Sequence, residues 1–128
     1  MNQGKRRILI VEDEPDILKT INKRLALSGF EVLTAADGQE ALTTVQQERP
    51  ELIILDIMLP KLNGYEVCAK LRQDVTLKHI PIIMFTAKGE TQAQLAGIMF
   101  GADAYVPKTT GFEQLLEQIK SLLPAASG

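Results

Sequence analysis

The chain has 128 residues, enough for one domain with a buried core, and its 45% hydrophobic and 23% charged side chains are ordinary globular proportions. Lys and Arg number 14 against 16 Asp and Glu, so the net charge is −2, which argues against a nucleic-acid binder; the basic triplet Lys5-Arg6-Arg7 reads as a solvated lead-in. One cysteine (Cys68) excludes an internal disulfide framework, one histidine (His79) excludes a multi-histidine metal site, and no signal core or membrane-length apolar run is evident, so a cytoplasmic protein without membrane contact is expected.

Two kinds of segment alternate along the chain. Ile8-Leu9-Ile10-Val11 is a short, continuous apolar run, the pattern of a strand covered on both faces. Ile17, Leu18, Ile21 and Leu25 follow at helical spacing, and Glu31 to Ala35 makes a weaker strand. Ala41, Leu42 and Val45 mark a short helix before the second strong run, Leu52 to Leu55. Val67 and Leu71 mark another helix after Asn63-Gly64, ahead of the run Ile80 to Phe85. Leu95, Ile98 and Met99 mark a fourth helix, Ala104 to Val106 a last weak strand, and Phe112, Leu115, Leu116, Ile119 and Leu123 a final helix.

This β-α alternation implies a doubly wound parallel sheet of the α/β class, wound right-handed with helices on both faces. Gly29, Gly38, Gly64, Gly101 and Gly111 fall at the joints. A single domain over 1–128 is expected, with its core at about 7–123. Pro124 to Gly128 reads as a loose tail or the start of a linker.

Ligands of open parallel sheets bind beyond the carboxyl ends of the strands. There the first strand stops on Glu12-Asp13, the third on Asp56 and the fourth on Thr86, while the fifth runs into Lys108. Carboxylates about 4 Å apart repel by about 4 kcal/mol at an effective dielectric near 20, so a proton or a cation must sit among them. Hard oxygen donors favour Mg²⁺. Lys108 and Thr86 suit phosphoryl oxygens, one by charge and one by hydrogen bond. The rim reads as a carboxylate nucleophile with a metal, arranged to accept phosphate.

Taken together, these segments resemble the receiver domain of two-component response regulators, over about Arg7 to Leu123. Asp56-Ile-Met-Leu-Pro60-Lys-Leu-Asn-Gly64 resembles the family's D-x-x-x-P-x-x-x-G phosphoacceptor segment, and Glu12-Asp13 its metal-binding pair. Thr86-Ala87 resembles its switch hydroxyl with a small neighbour, and Gly101 to Lys108 its fifth strand. The resemblance implies a flavodoxin-like fold with strand order 2-1-3-4-5. It implies that Asp56 takes phosphate from a histidine kinase or phosphotransfer protein, with Mg²⁺ held by Asp13, Asp56 and the Met58 carbonyl and by Glu12 through water. Thr86 and Lys108 would contact the phosphoryl group. Tyr105 would turn inward with Thr86, reshaping the face of the fourth helix, fifth strand and fifth helix for a downstream protein, an output domain or a phosphorylation-linked homodimer. By the same resemblance, Met58 and Lys88 would sit where the family tunes how fast phosphate is lost.

The chain departs from the family at one place. Thr109 follows Lys108 where the family has proline, with Pro107 before it. A cis bond to a non-proline residue costs about 2.5–4 kcal/mol, so a trans loop is open to this chain, and the sequence alone does not decide between cis and trans.

Rival readings differ in class. An aspartate-nucleophile phosphatase wants a second acid two residues after the nucleophile, where this chain has Met58. A flavin or dinucleotide carrier wants a glycine-rich loop where Glu12-Asp13-Glu14-Pro15 stands. A phosphorylation-independent pseudo-receiver is the remaining alternative. A signalling domain is expected, not a metabolic enzyme. Tyr65 and Cys68 are expected to pack and His79 to lie in a surface loop; the apolar residues of the uncharged stretch from Thr91 to Gly101 are expected to be mostly core, with a partner-binding or dimerisation surface as the alternative.

Overall fold

The computed structural model describes residues 4–87 and 100–123. The elements are β1 (Arg7–Val11), α1 (Pro15–Leu27), β2 (Glu31–Ala35), α2 (Gly38–Glu48), β3 (Leu52–Leu55), α3 (Gly64–Gln73), β4 (Ile82–Thr86), β5 (Ala104–Pro107), a 3-10 turn (Lys108–Thr110) and α4 (Phe112–Leu122). The predicted helix marked by Leu95, Ile98 and Met99 lies outside the described residues, as do Lys88 and the tail from Pro124.

All strand pairings are parallel, in the order β2-β1-β3-β4-β5. Side chains alternate across each strand, so continuous apolar runs feed two cores at once. Leu9, Val11, Ile53, Leu55, Ile82 and Met84 meet Ala41 and Val45 of α2 and Val67, Cys68 and Leu71 of α3. Ile8, Ile10, Ile54, Ile83 and Phe85 meet Ile21 and Leu25 of α1 and Leu115 and Ile119 of α4 on the other face. Burying each such side chain contributes about 1.5–3 kcal/mol, which makes these layers the main source of stability.

Local chemistry sets the element ends. Pro15 and Asp16 open α1, where a missing N–H and a negative charge are both favourable. Asn63 and Glu66 form a reciprocal capping box at α3. The run predicted from Ile80 enters the sheet only at Ile82. Pro81 has no N–H to give the ladder, although its carbonyl accepts from Ile53 N–H at 3.0 Å.

At the amino edge of the sheet, Arg6 pairs with Glu51 at 2.6 Å and Arg7 with Glu48 at 2.8 Å and Glu31 at 3.3 Å. The solvated lead-in expected of the basic triplet is therefore corrected for these two arginines. They tie β1 to β2, α2 and the start of β3.

Arg72 of α3 performs a similar task at the entrance to β5. It donates to the carbonyls of Gly101 (2.8 Å), Lys78 (2.8 Å) and Ile80 (2.7 Å) and to Asp103 (2.6 Å), which also accepts from Ile82 N–H. Gly101 has φ +104°, and a Cβ there would press on the Arg72 side chain, so glycine is required twice over. His79 is exposed, as expected.

Cys68 packs as expected. It is fully buried, its thiol donates to the Phe100 carbonyl at 3.1 Å, and Tyr65 stacks on the Phe100 ring at 5.3 Å. Burial pushes the thiol pKa up to about 11 from 9.0. Native protein at pH 8 should therefore resist a thiol reagent that labels the urea-unfolded chain at once; equal labelling rates would contradict this. The sign for stability follows. A thiol kept neutral by the fold contributes fully below pH 9, and that contribution is lost as pH rises to about 11.

Candidate functional site

The carboxyl ends of β1, β3, β4 and β5 meet on one rim, as the chain order predicts. Backbone pairing continues past the strands: Glu12 N–H donates to Ala35 carbonyl at 3.0 Å, and Asp56 N–H to Val11 carbonyl at 3.2 Å. Glu12 and Asp56 are thus fixed by the sheet itself and are 2% and 5% exposed, whereas Asp13 faces solvent. Carboxylate oxygens of Glu12, Asp13 and Asp56 all lie within 4.8 Å of one another.

Lys108 reaches into this cluster. Its Nζ lies 2.6 Å from Glu12 Oε1 and 3.0 Å from Asp56 Oδ2. The Lys108-Thr109 bond, which the sequence leaves undecided, is trans, as no cis peptide occurs among the described residues. The turn Lys108–Thr110 directs the lysine, and Thr110 Oγ1 closes the turn by donating to the Pro107 carbonyl at 2.8 Å. The second carboxylate oxygens of Glu12 and Asp56 are also engaged. Glu12 Oε2 accepts from Glu14 N–H at 3.2 Å, and Asp56 Oδ1 from Met58 N–H at 3.3 Å.

Burial raises the Glu12 pKa, against the opposing pull of its Lys108 hydrogen bond. Burial also works against the Lys108 ammonium, but the Glu12 and Asp56 hydrogen bonds outweigh it and hold the lysine pKa above its ordinary value. With all groups ionised, three carboxylates and one ammonium sum to −2. A divalent cation would neutralise that remainder, and the donors present are hard oxygens of the kind Mg²⁺ takes.

Thr86 is buried at the end of β4, opposite Pro107 in register. Tyr105 stands opposite Met84 and, half-buried, packs against the core on the side of α2 and α3. Met58 is 63% exposed beside the cluster. The structure thus gathers Glu12, Asp13, Asp56 and Lys108 at one point, with Thr86 ending the neighbouring strand.

Two features escape sequence reading. Gly64 packs so tightly that a Cβ would overlap the Asp56 carbonyl and come within 2.8 Å of Ile57 Cα. A cleft of about 570 Å³ runs between α1 and α4, lined by Ile17, Ile21, Phe85 and Phe112, with Lys108 among its lining residues. Arg24 covers the Phe112 ring at 5.2 Å. Periodicity assigns these apolar residues to helices and a strand but cannot show that they leave a gap.

Comparison with known proteins agrees with this architecture. The family model described as "Response regulator receiver domain" matches residues 8–120. "Probable transcriptional regulator ycf27" of Cyanophora paradoxa is 47% identical over 123 residues, which is 96% of this chain and 50% of that protein. The chain thus spans about half the length of the curated relatives it matches. Among solved structures, response regulator TrrA of Thermotoga maritima, in complex with Mg(2+)-BeF, superposes with TM-score 0.83 at 37% identity, covering 92% of this chain and 99% of that one. Chemotaxis protein CheY4 of Vibrio cholerae gives TM-score 0.87 at 32% identity, covering 94% and 100%.

Proposed function

The chain belongs to the response regulator receiver domain family, and from that premise we propose that Asp56 is its phosphoacceptor, in a cytoplasmic two-component pathway. One observation carries the reading. The Asp56 carboxylate is buried at the end of β3, within 4.8 Å of two further carboxylates and 3.0 Å from an ammonium. A packing residue has no use for such a gathering of charge. The pseudo-receiver alternative leaves it without a purpose.

The donor in this reading is a phosphohistidine of a kinase or phosphotransfer protein. An Asp56 oxygen attacks phosphorus and forms an O–P bond as the P–N bond breaks; the leaving imidazole keeps the electron pair and takes a proton. Asp13, Asp56 and the Met58 carbonyl would hold Mg²⁺, with Glu12 beside them. That ion would supply charge neutralisation at the phosphoryl oxygens. Lys108 meets the same oxygens with its ammonium and Thr86 with its hydroxyl.

Thr86 and Tyr105 would carry the change toward the face that includes β5 and α4, where a downstream protein, an output domain or a second copy docks. Moving a two-state equilibrium from 1:99 to 99:1 takes about 5.5 kcal/mol. A charge-assisted bond to Lys108 gives about 1.5–3 kcal/mol and a hydroxyl bond about 0.5–1.5 kcal/mol. Phosphorylation alone therefore shifts the population partly, and partner binding completes the change.

Phosphorus NMR after treatment with a small acyl phosphate and Mg²⁺ tests the phosphoacceptor. The expected signal is a protein acyl phosphate cleaved by hydroxylamine; a hydroxylamine-stable signal would place the phosphate elsewhere. The metal is tested by thermal unfolding. Mg²⁺ at 100 times its Kd should stabilise the native protein by about 2.7 kcal/mol, reversed by a chelator and lost in Asp13→Asn. No shift in the native protein would remove the metal from the account.

A further inference from the structure

We infer that the start of α2, at Asp37 and Gly38, positions the segment leading from Asp56 to α3, and with it the Met58 backbone. The inference rests on the reading of Asp56 as phosphoacceptor with Mg²⁺ beside it. In that reading the Met58 carbonyl is one of the groups that hold the ion.

The segment after Asp56 turns back on itself twice. Leu59 N–H donates to the Ile57 carbonyl at 3.1 Å and Leu62 N–H to the Pro60 carbonyl at 2.8 Å, which makes three-residue turns centred on Met58 and on Lys61. Lys61 has φ +69°, in the left-handed region that glycine favours. A lysine keeps such a conformation only where its surroundings hold it there. Met58, in the first turn, donates its N–H to Asp56 Oδ1 at 3.3 Å. Leu59 and Pro60 alone separate it from Lys61, so a change in the second turn has a short path to the backbone beside Asp56.

The start of α2 is what holds the strained turn. Gly38 N–H donates to the Pro60 carbonyl at 3.4 Å, and a Cβ on Gly38 would overlap the Leu62 carbonyl oxygen and lie 2.7 Å from Leu62 Cβ. No side chain fits between helix start and turn. Asp37 joins the same two pieces by charge. Its Oδ2 lies 3.5 Å from Lys61 Nζ, while its Oδ1 caps α2 by accepting from Glu40 N–H at 2.8 Å. Glu40 reaches back to Ala36 N–H at 2.8 Å, so the helix start is braced on both sides of Asp37. The Lys61 side chain is 68% exposed, which makes the ion pair weak and leaves the positioning mainly to the steric fit of Gly38. Just before this start, β2 ends at Ala35, whose carbonyl accepts from Glu12 N–H. The turn is therefore referenced to the sheet through α2 as well as through Asp56.

The test separates positioning from packing. Mg²⁺ is titrated by calorimetry into native protein, Gly38→Ala, Gly38→Ala with Lys61→Gly, Asp37→Ala and Asp37→Asn, at a temperature where each is folded by circular dichroism. Gly38→Ala is expected to weaken the Mg²⁺ Kd about tenfold, the scale for disturbing groups that hold metal ligands in place. Adding Lys61→Gly should recover most of that loss, because glycine lets the turn yield to the methyl without moving Met58. Asp37→Ala removes the cap without adding bulk and should weaken the Kd less, and Asp37→Asn, which keeps a capping oxygen, should recover most of it. In chelator-treated Gly38→Ala the Met58 amide resonance should shift, although the three atoms nearest the added carbon all belong to Leu62. An unchanged Kd and an unmoved Met58 resonance, with only a lower unfolding temperature, would overturn the inference and leave Gly38 a packing residue. Native protein that binds no Mg²⁺ would instead sink the metal reading. The Met58 resonance then decides the positioning alone: a shift supports it and an unmoved resonance overturns it. If Gly38→Ala does not fold, Asp37→Ala answers both questions in its place.

Discussion

Lys108→Gln is expected to slow phosphorylation of Asp56 by about 10²–10³-fold at saturating Mg²⁺, the range for removing one preorganised group at a developing negative charge. Glutamine preserves much of the reach and a donor but not the charge. The ammonium lies 3.0 Å from Asp56 and is only 13% exposed, so solvent screens it poorly. Its removal also leaves three carboxylates within 4.8 Å of one another with no cation from this lysine among them. The metal-free variant should therefore unfold at lower temperature than native protein, with Mg²⁺ restoring much of the difference. Initial rates of acyl phosphate labelling decide the kinetic half. A loss smaller than about threefold would mean that Lys108 touches the resting carboxylate but not the reaction.

Gly64→Ala should destabilise the fold by about 1–3 kcal/mol, as overpacking a closed site does. The added carbon would overlap the Asp56 carbonyl, with Ile57 Cα at 2.8 Å, and neither is the free end of a side chain that can swing away. Gly64 N–H also donates to the Ile57 carbonyl at 2.9 Å, which pins the two segments together. Relief can come only by moving the start of α3 or the strand end that carries Asp56. The substitution should therefore slow phosphorylation as well as lower the midpoint of chemical denaturation. An unchanged midpoint would show that α3 moves away without cost. The glycine eight residues after Asp56 thus has a steric reason. The helix begins against the backbone of Asp56 and Ile57.

Much of the fold was legible because its strands are covered on both faces. Continuous runs such as Leu52 to Leu55 have no other economical use in a chain of this size, and the intervening helices carry their apolar stripes plainly. Strand β2 was harder to read. It lies at the sheet edge, and its first three residues are only half-buried, so its pattern is diluted. Ile80 misled because apolar character continues through a proline that the ladder must leave aside.

The site was legible to the level of which residues stand at strand ends. Periodicity and chain order place Glu12, Asp13, Asp56, Thr86 and Lys108 on one rim. They cannot show that Lys108 bridges Glu12 and Asp56, because a lysine's reach depends on the turn that follows it. The same limit hid the Arg72 network, where one side chain gathers three carbonyls and a carboxylate from separate segments. Those contacts depend on side-chain direction across the fold, on which a pattern of apolar spacing is silent. Arg6 and Arg7 show the point at the opposite edge. They form a basic run in the sequence, yet each meets acids more than 20 residues away.

The most direct test of Asp56 is the intact mass of native protein and of Asp56→Asn after incubation with a small acyl phosphate, with and without Mg²⁺. The account predicts a gain of one phosphoryl mass in native protein that requires Mg²⁺ and is absent from Asp56→Asn. No gain in native protein, or an equal gain in the variant, would contradict it. The first outcome would leave a receiver fold that works by binding alone, and the second would place the phosphate on another residue.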